Sequence, residues 1–150
     1  MTCLALKPNE RTSSAALVEM TQAPSDYLAK VLQQLARADL VEGRRGVGGG
    51  YRLSKPASQI RMIDVVNAVE PLQRIKTCPL GIASHGPNLC PLHRKMDQAT
   101  AGVIEILGDS TLEDLITEPE SNTPLCSEEM RAGLGRASLS IDGSTKRNGA

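Results

Sequence analysis

"DYLAKVLQQLARADLVEGRRGVGGGYRLSKPASQI", residues 26–60, changes periodicity halfway along, and that change decides the fold. In its first part Leu28, Val31, Leu32 and Leu35 fall at i, i+3, i+4 and i+7, which is one apolar face of a helix. Ser25 stands where an N-cap is expected, and Asp26 suits a first turn, where the helix dipole favours negative charge. Lys30, Gln33, Gln34 and Arg37 are left on the outer face. From Leu40 the period becomes two: a short strand to about Arg44, a glycine-dense tip, and a second strand from Tyr51 to Ser54. A phosphate-binding loop is excluded, because no G-x-x-x-x-G-K-[ST] occurs and the next element is a strand instead of a helix.

Upstream, "TSSAALVEM", residues 12–20, reads as a short helix capped by Ser13 or Ser14, with Leu17 and Met20 on one face. "TQAP" then breaks it at a proline turn. Two helices joined this tightly fit a helix-turn-helix, and equally any αα-hairpin with a solvated face. The hairpin that follows favours the first, since a hairpin directly after a helix-turn-helix is a wing. Its tip sets Arg44 and Arg45 among glycines that allow close backbone approach, and arginines can enter a narrow, negative minor groove.

Beyond Pro56, "SQIRMIDVVNAVE" looks amphipathic, with Ile60, Ile63 and Val66 inward, until Pro71 stops it. "TCPLGIASHGPNLCPLHR", residues 77–94, then packs two cysteines, two histidines, three prolines and two glycines into one irregular stretch. "PLHRKMDQATAGVIEIL" repeats Leu92, Met96, Ala99, Val103 and Ile106 at heptad-like spacings, a stripe suited to pairing with its twin in a homodimer or to packing back on the winged domain. Gly102 within it costs about 1 kcal/mol relative to alanine and permits close helix approach. "STLEDLI" is a last short helix capped by Ser110 or Thr111. The expected architecture is mostly α with a small β-hairpin. It divides into a winged helix-turn-helix over 1–57, a sensor loop and long dimerisation helix over 58–117, and a disordered acidic tail over 118–150, in which Cys126 is a spectator.

Composition narrows the function. The 150 residues are 40% hydrophobic with no Trp, no Phe and two Tyr, a composition that suits an aliphatic helical core and offers little for base stacking. No apolar run approaches the roughly 20 residues that a bilayer requires, and the start lacks a secretory signal. A cytoplasmic location is expected, where the four cysteines are reduced thiols or ligands. The net charge of zero hides a gradient: +3 over residues 1–55, +1 over 56–107 and −4 over 108–150. A basic head with an acidic tail often accompanies nucleic-acid binding.

The stretch 26–60, with the run R-G-x-G-G-G-Y from Arg45 to Tyr51, resembles the IscR/NsrR/CymR-type winged-helix regulators of bacteria, and the similarity extends from about residue 10 to 117. The resemblance implies a dimer on palindromic promoter DNA, one helix reading the major groove and the wing touching the minor groove, in transcriptional control that is usually repression. Ser25, Lys30, Gln33 and Arg37 are then expected to meet bases or phosphates, and Arg44 and Arg45 to form the wing contact. It also implies a ligand set, since cluster-binding members carry C-x5-C-x5-C, in some followed by x2-H. Cys78, Cys90 and His93 match that pattern, whereas the middle position is Ser84, a hard and usually protonated donor.

His85, beside it, is a candidate replacement, so Cys78, His85, Cys90 and His93 are the expected metal ligands. An iron–sulfur cluster, zinc, a metal-free thiol switch and an inert loop all stay open. "MTCLALKP" resembles only the last turn of the relatives' first helix. Part of the Leu28, Leu32 and Leu35 face is therefore expected to lose cover, and a form extended upstream to be more stable. The expected function is a DNA-binding regulator, a repressor whose loop senses redox state, nitric oxide or iron supply. The alternatives are a cluster-free thiol regulator and a winged-helix protein that binds other proteins. An enzyme is not expected, because no residue orients a Cys-His nucleophile.

Overall fold

Local chemistry starts the first full helix. The Ser13 hydroxyl accepts a hydrogen bond from the Ala16 N–H at 3.1 Å, satisfying one of the donors that every helix start leaves open. The computed structural model describes residues 1–83 and 88–117; Ser84, His85, Cys126 and the acidic tail lie outside them. Within those residues α1 (Thr2–Ala5), α2 (Ser14–Thr21) and α3 (Ser25–Arg37) precede a hairpin of β1 (Val41–Arg44) and β2 (Gly50–Leu53). A 3₁₀ turn (Ala57–Gln59), α4 (Met62–Val69), α5 (Pro91–Asp109) and α6 (Leu112–Thr117) complete the order. The fold is a winged helix-turn-helix with a long following helix.

The turn between α2 and α3 is built by Gln22, left-handed at φ 55°, and Pro24. Ser25 is not the N-cap. Pro24 holds that position with no side-chain bond, because its carbonyl already accepts the Leu28 N–H at 2.9 Å and helical pairing begins one residue earlier. In the hairpin, Val41 pairs with Leu53 and Arg44 with Gly50. Thr12 adds a bridge to Tyr51, exchanging hydrogen bonds of 2.9 and 2.8 Å, so the chain ahead of α2 braces the wing. At the tip Gly49 N–H donates to Gly46 O, and Gly48 takes φ 71°, as the third position of such a turn requires. Gly50 is tighter still: φ is 137°, and a Cβ there would sit 2.6 Å from the Thr12 carbonyl oxygen.

The core gathers Cys3, Leu4, Leu17, Leu32, Leu35, Leu40, Val41, Ile60 and Leu112. Leu32 and Leu35 are fully covered, contrary to the expected loss, in the same core as the buried α1 residues Cys3 and Leu4; Leu28 is half-buried. The helix expected over 58–70 is shorter than its periodicity suggests. Ile60 and Arg61 are extended: the Ile60 carbonyl accepts the Leu112 N–H at 2.8 Å, and Met62 N–H donates to Ser110 O at 2.9 Å. That tie stitches the start of α4 to the start of α6, and α6 packs against α1. No described helix is long and apolar enough to cross a membrane.

Candidate nucleic-acid interface and thiol–imidazole cluster

The α3 helix turns Leu32 and Leu35 inward and half-buries Leu28 and Val31, which leaves Ser25, Lys30, Gln33 and Arg37 exposed on its other side. Lys30, Gln33 and Arg37 are where the helical period puts them, and Ser25 is exposed as the first residue of the helix. Gln34 instead donates its amide to the Val69 carbonyl at 3.3 Å, tying α3 to the end of α4. Tyr27, 59% exposed in the first turn of α3, escaped the sequence reading. Its position off the leucine face is the signal that could have found it.

The wing separates two kinds of arginine. Arg11 donates to the Glu42 and Gly50 carbonyls at 3.3 Å each and to the Glu42 carboxylate at 2.9 Å, and Arg52 pairs with the same carboxylate. The Arg52 hydrogen bond, with Arg11 adding to it, holds the Glu42 carboxyl below its ordinary range. These two cations brace the base of the hairpin. Arg44 and Arg45, at the mouth of the tip, are exposed and make no ion pair among the described residues. Their charge is available to a partner, and within the turn Val47 projects fully into solvent.

The cysteine loop is shaped by its prolines. Pro79 presets the second position of a turn in which Gly81 N–H donates to Cys78 O at 3.1 Å, so Cys78 opens a tight reversal. Pro91 occupies the first turn of α5 where a missing N–H costs nothing, and makes Cys90 the N-cap. His93, three residues on, is only 8% exposed. Its Nδ1 lies 3.3 Å from the Cys90 sulfur and 3.9 Å from the Cys78 sulfur. Two free thiols thus converge on one sheltered imidazole nitrogen. One turn further, Asp97 accepts both Arg74 N–H groups at 2.6 Å and the Ile75 N–H at 2.9 Å.

Three of the four expected ligands therefore come together, while His85 lies outside the described residues. Among the described residues no group of three or more His, Cys, Asp and Glu side chains is gathered as a metal site. Cys78, Cys90 and His93 are donors suited to iron or zinc, and both sulfurs lie against the one His93 nitrogen.

A family model described as Rrf2, an iron-dependent transcriptional regulator, matches residues 1–118. Solved structures agree in fold. CymR, the global cysteine regulator of B. subtilis, superposes with a TM-score of 0.64 at 25% identity, covering 79% of this chain and 88% of that one. IscR of T. potens gives 0.64 at 20% identity over 87% and 86%, and CymR of Staphylococcus aureus 0.61 at 24% over 80% and 91%. With the helix-turn-helix, the wing and the match over nearly all described residues in hand, this chain belongs to the Rrf2 family, whose members are DNA-binding transcription regulators and not enzymes.

Proposed function

We propose that this protein is a homodimeric repressor acting on promoter DNA in the cytoplasm, and that the loop from Cys78 to His93 sets its affinity. One observation carries the reading: Lys30, Gln33 and Arg37 on α3, with Arg44 and Arg45 on the wing, are exposed, and no ion pair within the described residues neutralises the wing arginines. A helix of this kind enters a major groove, and wing arginines suit the minor groove beside it. The dimer is supported by α5, whose Leu92, Met96, Ala99, Val103 and Ile106 stripe is exposed while its other side packs on α4. Twofold symmetry then sets two recognition helices about 34 Å apart on successive grooves, and a shift of α5 takes them out of register.

The switch proposed is at the thiols. Hydrogen peroxide would join the Cys78 and Cys90 sulfurs: each thiol gives up its proton, the pair gives up two electrons, and the peroxide leaves as two waters. His93, touching both sulfurs, is the group beside which those protons depart. The iron dependence in the family's description favours a second reading, in which Cys78, Cys90 and His93, with His85, hold an iron–sulfur cluster. Such a group supplies a centre sensitive to oxidation and nitric oxide.

The test is fluorescence anisotropy with promoter fragments, the protein's own included, on protein purified without oxygen, before and after peroxide. Binding that changes with thiol state is the expected result; a dimer that ignores every fragment in both states overturns the regulator reading and favours a protein-binding role. A visible absorption band in the anaerobic sample selects the cluster, and a colourless one the thiols.

A further inference from the structure

We infer that Asp97 is the positioning residue through which the state of the cysteine loop reaches the recognition helix. This rests on the regulator reading above and names how its site is coupled.

Residues 71–77 link α4 to Cys78 with no helix or strand of their own. A segment of that kind would normally move independently of its surroundings. Here it is fastened at two points. The Leu72 N–H donates to the Asn67 side-chain oxygen at 3.0 Å, which ties its start to α4. The Asp97 carboxylate receives both guanidinium N–H groups of Arg74 and the backbone N–H of Ile75, which ties its end to α5. A fork-to-fork pair with a third, backbone donor has the geometry in which a surface ion pair is strong, and the Asp97 side chain is only 15% exposed.

The position of the clamp gives it a use beyond stability. Asp97 lies one helical turn from His93 on the same side of α5, and Ile75 is three residues from Cys78. A rearrangement of Cys78 relative to His93 therefore loads the strap at once. At its far end the strap continues into α4, which packs on α3 and receives the Gln34 amide at Val69. Loop, strap, α4 and recognition helix form one connected series, and Asp97 is the point at which α5 holds it. Without the clamp, the loop rearranges and the strap absorbs the movement.

The experiment is amide hydrogen exchange on the full chain in a Cys126→Ser background, before and after alkylation of Cys78 and Cys90 with iodoacetamide. In the otherwise native protein, alkylation should speed exchange across 71–77, at the end of α4 and in α3 by about fivefold or more. In Asp97→Asn, 71–77 should already exchange faster, and alkylation should leave α3 unchanged; Asp97→Glu, which keeps the carboxylate, should restore the response. The inference is overturned if alkylation reaches α3 equally in Asp97→Asn, or fails to reach it in the native protein. Loss of DNA binding in both thiol states, with the exchange pattern intact, would sink the regulator reading alone.

Discussion

Arg45 stands exposed beside Gly46 and makes no ion pair among the described residues, whereas Arg11 and Arg52 share the Glu42 carboxylate a few residues away. The contrast predicts different consequences for one amino-acid type. Arg45→Ala should weaken promoter binding and lower the log–log salt slope by about one, measured by anisotropy between roughly 50 and 200 mM salt, with the thermal midpoint unchanged. Gly50→Ala should act on stability, since a Cβ there meets the Thr12 carbonyl and φ is left-handed. A loss of about 1–3 kcal/mol, read as a lower thermal midpoint, is expected. Spacing alone exposed Lys30, Gln33 and Arg37, because a helical period assigns faces without knowing the neighbours. It said nothing of which arginine is neutralised, as Arg11 and Glu42 are far apart in the chain.

The α5 helix has two faces with different work. His93, Asp97, Ile104 and Leu107 turn towards the rest of the chain, while Leu92 at 66% and Ile106 at 67% exposure face outward. If the outward stripe pairs with a second copy, Ile106→Glu should convert dimer to monomer in sedimentation velocity at micromolar concentration and weaken DNA binding with it. The inward face has a pH signature. Hydrogen bonds from Arg74, reinforced by the Ile75 N–H, hold the Asp97 carboxyl below its ordinary value, and Thr111 does the same for Asp114 at the start of α6. The unfolded chain therefore takes up protons first as pH falls. The stability these carboxylates contribute is complete above about pH 4 and is lost as pH drops through their lower folded values. Asp97→Asn should lower the thermal midpoint near neutrality, where the ionised carboxylate contributes, and so make its fall between about pH 5 and pH 2 shallower.

At the scale of the whole molecule, the two ends of the described chain meet: Leu112, 1% exposed, lies in the same core as Cys3 and Leu4. Leu112→Ala should cost about 2–5 kcal/mol, read from chemical denaturation, and lower the thermal midpoint of the winged unit as well as of α6. That closure limits what could be read in advance. The α3 period, the hairpin and the glycine tip were legible because side-chain spacing and turn chemistry are local, and so was a cap of α6 at Ser110 or Thr111, of which Thr111 accepts the Asp114 N–H. The break at Ile60 was not. Its sequence continues a helical pattern, yet a hydrogen bond to Leu112, half the described chain away, holds it extended. The cysteine loop divides in the same way. Composition marked it as irregular and rich in soft donors, whereas the convergence of two thiols on His93, and the Asp97 clamp beside it, came from packing the strap against α5. Periodicity and turn chemistry together determined the helix pair, the wing and the exposed cations of α3, because each depends only on near neighbours. Long-range hydrogen bonds and burial, which depend on contacts between residues remote in sequence, decided where α4 begins, which arginines stay free and which donors share a site.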